Sequence, residues 1–129
     1  MATFKNFEDM ELWQKSMALT IQIYHETNRA IFSKDYELIR QIRRTSISIP
    51  SNIAEGFERD GNKEFINFLY IAKGSCGELR CQLYLAGRLG YIEPNRFQEL
   101  LNFALEISRS LNKLIRYLQE SEFKGKKYK

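Results

Sequence analysis

The stretch Gln41-Ile-Arg-Arg-Thr-Ser-Ile-Ser-Ile-Pro-Ser-Asn-Ile-Ala-Glu-Gly-Phe57 decides the fold, because its apolar residues recur at helical spacing on both sides of a proline. Steps of three and four residues predict one amphipathic helix over residues 34–58. The predicted core face of this helix consists of Ile39, Ile42, Ser46, Ile49, Ile53 and Phe57. Pro50 lacks a backbone donor, so we expect a kink one turn earlier, near Ser46. The alternative is two short helices that break at Ile49.

Three further segments show the same period and predict helices over residues 8–29, 62–89 and 94–120. Pro94 suits the first position of the last helix, where its missing donor would be unpaired anyway. The short connections favour an all-α, up-down-up-down antiparallel four-helix bundle. We expect this domain to span residues 1–121 and a basic tail to follow over 122–129. In the third helix, Gly74, Ser75 and Gly77 are expected to let a neighbouring backbone come close.

Composition and charge narrow the class of protein. The 129 residues are 43% apolar with 7 Gly and 2 Pro, which excludes a disordered chain and favours long regular elements. No apolar run reaches the roughly 18–20 residues of a membrane span, and the charged first eleven residues do not resemble a signal peptide. We therefore expect a cytoplasmic protein without a membrane partner. The net charge of +4 belongs to the tail, because residues 1–123 hold 16 basic and 16 acidic groups.

The residues that usually carry catalysis or bind metals are scarce. Cys76 and Cys81 form no Cys-x-x-Cys pair, and His25 is the only histidine. Carboxylate pairs one turn apart occur at 8–11 and 55–58, but such pairs are common on helices by chance. No glycine-rich phosphate loop follows a strand, and no nucleophile has a base and an orienting group beside it. The sequence therefore predicts a protein that is not an enzyme and has no metal or cofactor.

The first and third helices carry more apolar surface than one small core can cover. Exposed contiguous apolar patches usually indicate a partner, so we expect a homo-oligomer that uses the second faces of these helices. The candidate interface residues are Trp13, Ile66, Tyr70 and Tyr84.

A polar face on the second helix lies between two apolar faces. Arg44, Ser48, Asn52 (or Ser51) and Glu55 step along it, and Glu78 of the third helix is a plausible further member. Because buried charges need partners, we expect a structural polar network of the Arg44–Glu55–Glu78 type that fixes helix register or a subunit contact.

The stretch 41–57 closely resembles the hallmark segment of the bacterial four-helix bundle proteins called 23S rRNA intervening sequence proteins. Residues 12–14 (Leu-Trp-Gln), 64–65 (Glu-Phe), 74–75 (Gly-Ser) and 89–91 (Leu-Gly-Tyr) fit the same pattern. The resemblance implies a bundle that assembles into a ring-like homopentamer. It also implies a distant relationship to the accessory protein of diversity-generating retroelements, a pentameric barrel that binds nucleic acid. It supplies no catalytic residues.

The resemblance also draws attention to basic residues, because Arg40, Arg43 and Arg44 match the family's basic segment. On the third helix, Lys73, Arg80 and Arg88 lie near one face with Tyr84 among them. With Lys124, Lys126 and Lys127 of the tail, these are the candidate nucleic-acid-binding residues. Two functions stay open: an oligomer that binds ribosomal or other structured RNA through phosphate contacts, or a protein-interaction scaffold whose basic groups pair with acids and touch no nucleic acid.

Overall fold

The structure, a computed structural model, describes the backbone of residues 4–127 and the side chains of residues 4–121. It contains a 3-10 turn at Phe7–Asp9 and four α-helices: α1 (Glu11–Thr27), α2 (Tyr36–Glu58), α3 (Asn62–Arg88) and α4 (Pro94–Lys127). The described residues form no strand, so the all-α class and the four helices are confirmed. α1 begins three residues later than predicted, and α4 continues past the predicted tail boundary at residue 121.

Each helix packs against two others. α1 contacts α2 and α4, and α3 contacts the same two helices, whereas among the described residues no Cα atoms of α1 and α3, or of α2 and α4, lie within 8 Å of each other. The four helices therefore surround one core. Its fully buried large side chains include Leu19, Ile23, Ile42, Ile49, Ile53, Leu69, Leu79, Leu83, Leu100, Ile107 and Leu111. These are the positions that the three-four spacing predicted.

α2 runs unbroken through Pro50, so the alternative of two short helices is wrong. Pro50 cannot donate to the carbonyl of Ser46 four residues earlier. The hydroxyl of Thr20, on α1, donates to that carbonyl at 2.9 Å, and both residues are buried. An α1 side chain thus replaces the hydrogen bond that the proline removes, which helps the helix to continue. The expected kink near Ser46 stays a prediction.

Among the described glycines, the one most tightly packed is Gly56 of α2 rather than Gly74 or Gly77 of α3. A Cβ added to Gly56 would lie 2.6 Å from Cβ of Phe68, so only glycine fits between α2 and α3 there. At Gly74 an added Cβ would meet no described atom within 4 Å, because this residue is exposed on the outer side of α3. The expectation of a close contact at Gly74 is therefore wrong within one protomer.

The end of the bundle formed by residues 28–35 and 89–93, here called the closed end, is held by buried contacts that lie beneath a surface cavity of about 480 Å³. Phe32 is completely buried, with its ring centroid 4.9 Å from that of Tyr91. The Tyr91 hydroxyl donates to Asp35 Oδ2 at 3.0 Å, while Asp35 Oδ1 accepts from the backbone N–H of Leu38 and caps α2. The Asp35 carboxylate thus caps the first turn of α2 and also links the α1–α2 connection to the α3–α4 connection.

The opposite end, here called the open end, follows from a mismatch in helix length. α1 has 17 residues and α4 has 34, so their lengths are about 26 Å and about 51 Å. Contacts of Glu26 with Arg96 and of Lys15 with Glu106 place α1 along the first half of α4. Along the second half of α4, Phe4 and Met10 occupy the position at which a longer α1 would pack.

Candidate interaction surfaces

The structure forms the neutral half of the predicted polar network on α2. The hydroxyls of Ser48 and Ser75 are 2.8 Å apart, and the Asn52 amide donates to the carbonyl and the hydroxyl of Ser48 at 2.7 and 2.9 Å. These three side chains connect α2 with α3 at half-buried or buried positions. Ser75 was not among the predicted members.

The charged half of that network is not formed within the described protomer. Arg44, Glu55 and Glu78 are all exposed, and Glu55 pairs instead with Arg59 at 3.1 Å. No ion pair in the described part of the chain joins Arg44 to either glutamate. Eleven residues of helix separate Arg44 from Glu55 by about 16 Å, which is too far for a direct contact.

A buried ionic cluster that the sequence did not reveal lies between α1 and α4. The side chain of Glu26 is only 6% exposed and accepts from Arg96 Nε at 3.2 Å and from Arg29 at 3.1 Å. Arg96 also donates to Gln22 at 3.2 Å. Glu26 follows Leu19 and Ile23 at helical spacing. A carboxylate on such an apolar stripe is the sequence feature that could have indicated a buried ion pair.

Five residues of α3 form a line that we call the tyrosine–cation strip: Tyr70, Lys73, Arg80, Tyr84 and Arg88. At 100° per residue they project toward one side of α3. That side faces α4, because Tyr70 accepts from Gln119 at 3.2 Å, Lys73 donates to Asn112 at 3.5 Å and the Tyr84 ring packs on Phe97. Gly77 completes the line, so no acidic residue interrupts the strip along α3.

The side chains of the strip differ in how freely they reach solvent. Tyr70 and Tyr84 are 47% and 46% exposed, and Arg88 is exposed as well. Lys73 and Arg80 are half-buried, and Nε of Arg80 is buried without a hydrogen-bond partner among the described atoms. The strip therefore offers two accessible aromatic rings and one fully accessible cation, with two further cations at its base.

The remaining predicted basic residues lie in different surroundings. Arg43 donates to Thr27 Oγ1 at 2.9 Å and stacks on the ring of Tyr24 with 4.6 Å between Cζ and the centroid, so it connects α1 with α2. Arg40 and Arg44 are exposed on α2. The side chains of Lys124, Lys126 and Lys127 lie outside the described residues.

Two separate apolar surfaces face outward. The first, the α1–α2 groove, is a cavity of about 520 Å³ that includes Trp13, Met17, Ile21, Ile47 and Pro50 among its lining residues. The second, the α3 ridge, consists of Ile71 and, about 21 Å further along the helix, Leu85 and Leu89, each 50–51% exposed, with the exposed Glu78 between them.

The four predicted interface residues divide between different regions. Trp13 lies in the α1–α2 groove with its ring edge-on to Phe7. Ile66 is half-buried against the core, and Tyr70 and Tyr84 belong to the tyrosine–cation strip.

The cysteines are both free thiols. Burial raises the pKa of the Cys76 thiol to about 12, so this thiol stays protonated and unreactive, and Cys81 is exposed on α3. In the part of the chain that the structure describes, no three His, Cys, Asp or Glu residues are grouped to hold a metal ion. No described helix is both long and apolar enough to cross a membrane.

The fold and these surfaces define a small helical protein whose notable features lie on its outside. The family model of the 23S rRNA-intervening sequence protein matches residues 8–113 of the chain, so the chain belongs to that family. A crystal structure of a protein of unknown function from the S23 ribosomal protein family of Bacteroides thetaiotaomicron is 28% identical, with a TM-score of 0.75. The match covers 81% of this chain and 97% of that one. No curated protein sequence matches the chain.

Proposed function

We propose that this chain is a non-enzymatic subunit of a homo-oligomeric ring, and that the ring binds structured RNA through its tyrosine–cation strips. The observation that carries the RNA proposal is the strip itself, in which two exposed tyrosines alternate with three cations along α3. We also propose that neighbouring helices of the bundle run antiparallel. The contacts of Thr20 with Ser46 and of Thr27 with Arg43 support this for α1 and α2, because the residue number rises along α1 while it falls along α2.

The assembly rests on the two apolar surfaces. The α1–α2 groove and the α3 ridge are two separate surfaces of the protomer, and each leaves large apolar side chains exposed, such as Ile21 in the groove and Ile71 on the ridge. A ridge that enters the groove of a second copy would bury both. Such a contact joins two different surfaces, and repeated contacts of this kind close into a ring when the rotation allows it. Five subunits are what the family resemblance implies.

The chemistry of the strip suits single-stranded parts of a folded RNA. Unstacked bases pack on aromatic side chains, and cations neutralise the phosphates between them. The 18 residues between Tyr70 and Arg88 correspond to about 27 Å of helix, long enough to follow several nucleotides. Repetition around a ring would give a sequence-tolerant surface with many phosphate contacts.

A binding assay with a structured ribosomal RNA fragment over a series of salt concentrations tests the proposal. We expect affinity to fall steeply with salt, and Arg88→Glu to weaken binding and to lower the salt slope by about one unit per chain that contacts the RNA. Lys34→Glu, which changes an exposed lysine in the connection between α1 and α2, serves as the matched control. Equal binding by both variants, or affinity independent of salt, would overturn the RNA proposal.

The alternative is a protein-interaction scaffold that touches no nucleic acid. Two of the predicted RNA-binding residues favour this alternative, because they already contact other residues of the protomer. Arg43 contacts Thr27 and Tyr24, and Lys73 donates to Asn112. An assembled wild-type ring that does not bind RNA at low salt would support the scaffold.

A further inference from the structure

The open end contains a cleft that the proposed function does not use. Two adjoining cavities of about 350 and 380 Å³ share the walls Phe4, Met10, Leu114 and Tyr117. They exist because α1 begins at Glu11, and no helix covers this half of α4 from that side. Each cavity has the size of a small-molecule pocket, for which about 300–1,000 Å³ is usual.

The walls of the second cavity are mainly apolar, whereas Arg59, Asn62 and Ser121 add polar walls to the first. Met10 and Leu114 are buried, and Leu12 and Phe4 are half-buried beside them. Tyr117 is 42% exposed, so its ring forms a wall that a ligand could reach from solvent. A wall of this kind gains free energy when an alkyl chain displaces water from it.

The rim carries positive charge on α4. Lys113 is exposed and forms no ion pair with the described residues, whereas the neighbouring exposed Arg109 and Arg116 line neither cavity. Lys113 itself lines the second cavity. The acid on this rim, Glu11, pairs with Lys15 at 3.2 Å, which leaves the α4 edge of the cleft cationic.

A single flexible alkyl chain fits in either cavity, whose volumes are about 350 and 380 Å³. From the apolar walls and the cationic rim, we propose that the cleft binds a single-chain anionic amphiphile of the fatty-acid class, with its alkyl chain between Met10, Leu114 and Tyr117 and its carboxylate at Lys113.

Calorimetric titration of the full chain with dodecanoate, below the concentration at which it forms micelles, tests this proposal. We expect one molecule to bind per protomer. Lys113→Glu should weaken binding at least tenfold without a change in helix content, because this exposed residue contributes charge and not packing. Dodecyltrimethylammonium, which has the same chain and the opposite charge, should bind at least tenfold more weakly than dodecanoate.

A second pair of variants tests the position of the chain. Ser110→Trp places a large ring in the second cavity and should abolish binding, whereas Asn102→Trp, at an exposed residue about 16 Å from Lys113 along α4, should leave binding unchanged. The absence of binding to the wild type, equal binding by Ser110→Trp or Lys113→Glu, or equal affinity for the ammonium analogue would overturn the proposal. Binding to phosphatidylglycerol vesicles but not to free dodecanoate would also overturn it, since it would indicate a membrane surface.

Discussion

At the closed end of the bundle Phe32 is completely buried against Tyr91, whereas at the open end Phe4 is half-buried beside two cavities. The closed end also contains the Glu26–Arg96 contact and the hydrogen bond between Tyr91 and Asp35. The open end has apolar walls that α1 is too short to cover. Both ends have surface cavities, the one at the closed end being about 480 Å³. The difference lies in the buried contacts, which hold the helices together at the closed end.

The largest expected effect compares one phenylalanine from each end. Phe32→Ala should lower the free energy of unfolding by about 3–5 kcal/mol, because it leaves a cavity that its neighbours can only partly fill. Phe4→Ala should lower it by less than about 1 kcal/mol, because the ring is only partly buried beside open cavities and its loss leaves no enclosed void. Urea unfolding at one fixed protomer concentration measures both. Equal losses would remove the distinction between the two ends.

The next effect concerns the buried cluster that closes α1 onto α4. Glu26→Gln should cost about 2–3 kcal/mol, because Arg96 and Arg29 lose a charged acceptor at a buried position. Glu106→Gln is the matched control, since Glu106 pairs with Lys15 on the surface and should cost less than about 1 kcal/mol. If the two variants unfold at the same urea concentration, the cluster is not a determinant of stability.

The smallest effect is a dependence on pH at the closed end. The hydrogen bond to Asp35 is the main cause that raises the pKa of Tyr91. A raised pKa in the folded state means that the stabilisation is fully present below the ordinary tyrosine value of about 10, and is lost as the pH rises through the folded value. The difference in melting temperature between wild type and Tyr91→Phe should therefore shrink between pH 9 and pH 11. A difference that stays constant over this range would contradict the role given to this bond.

The sequence predicted the fold well where periodicity is strong. The spacing of Ile42, Ile49 and Ile53 identified the buried face of α2 correctly across Pro50. It could not reveal that Thr20 satisfies the Ser46 carbonyl, because that contact joins residues 26 positions apart. The end of α4 was placed too early, since the polar residues after Glu120 do not stop a helix.

The candidate surfaces were predicted less completely. The sequence placed Tyr84 near one face of α3 with Lys73, Arg80 and Arg88, but it listed Tyr70 only as an interface residue and gave Tyr84 both roles. Only the contacts of Tyr84 with Phe97 and of Lys73 with Asn112 show that these side chains share the side facing α4. Arg44 and Glu55 were expected to join one network, although the helical rise keeps them apart.

The central claim is that second copies of the chain cover the α1–α2 groove and the α3 ridge, and the mass of the native particle tests it most directly. Sedimentation of the full chain at micromolar concentration should give a closed assembly of five subunits. Ile21→Glu in the groove and Ile71→Glu on the ridge should each release monomers. Ile31→Glu, at a residue of similar exposure in the connection between α1 and α2, should leave the assembly intact. A wild-type chain that sediments as a monomer, or an assembly that survives both charged substitutions, would contradict the account.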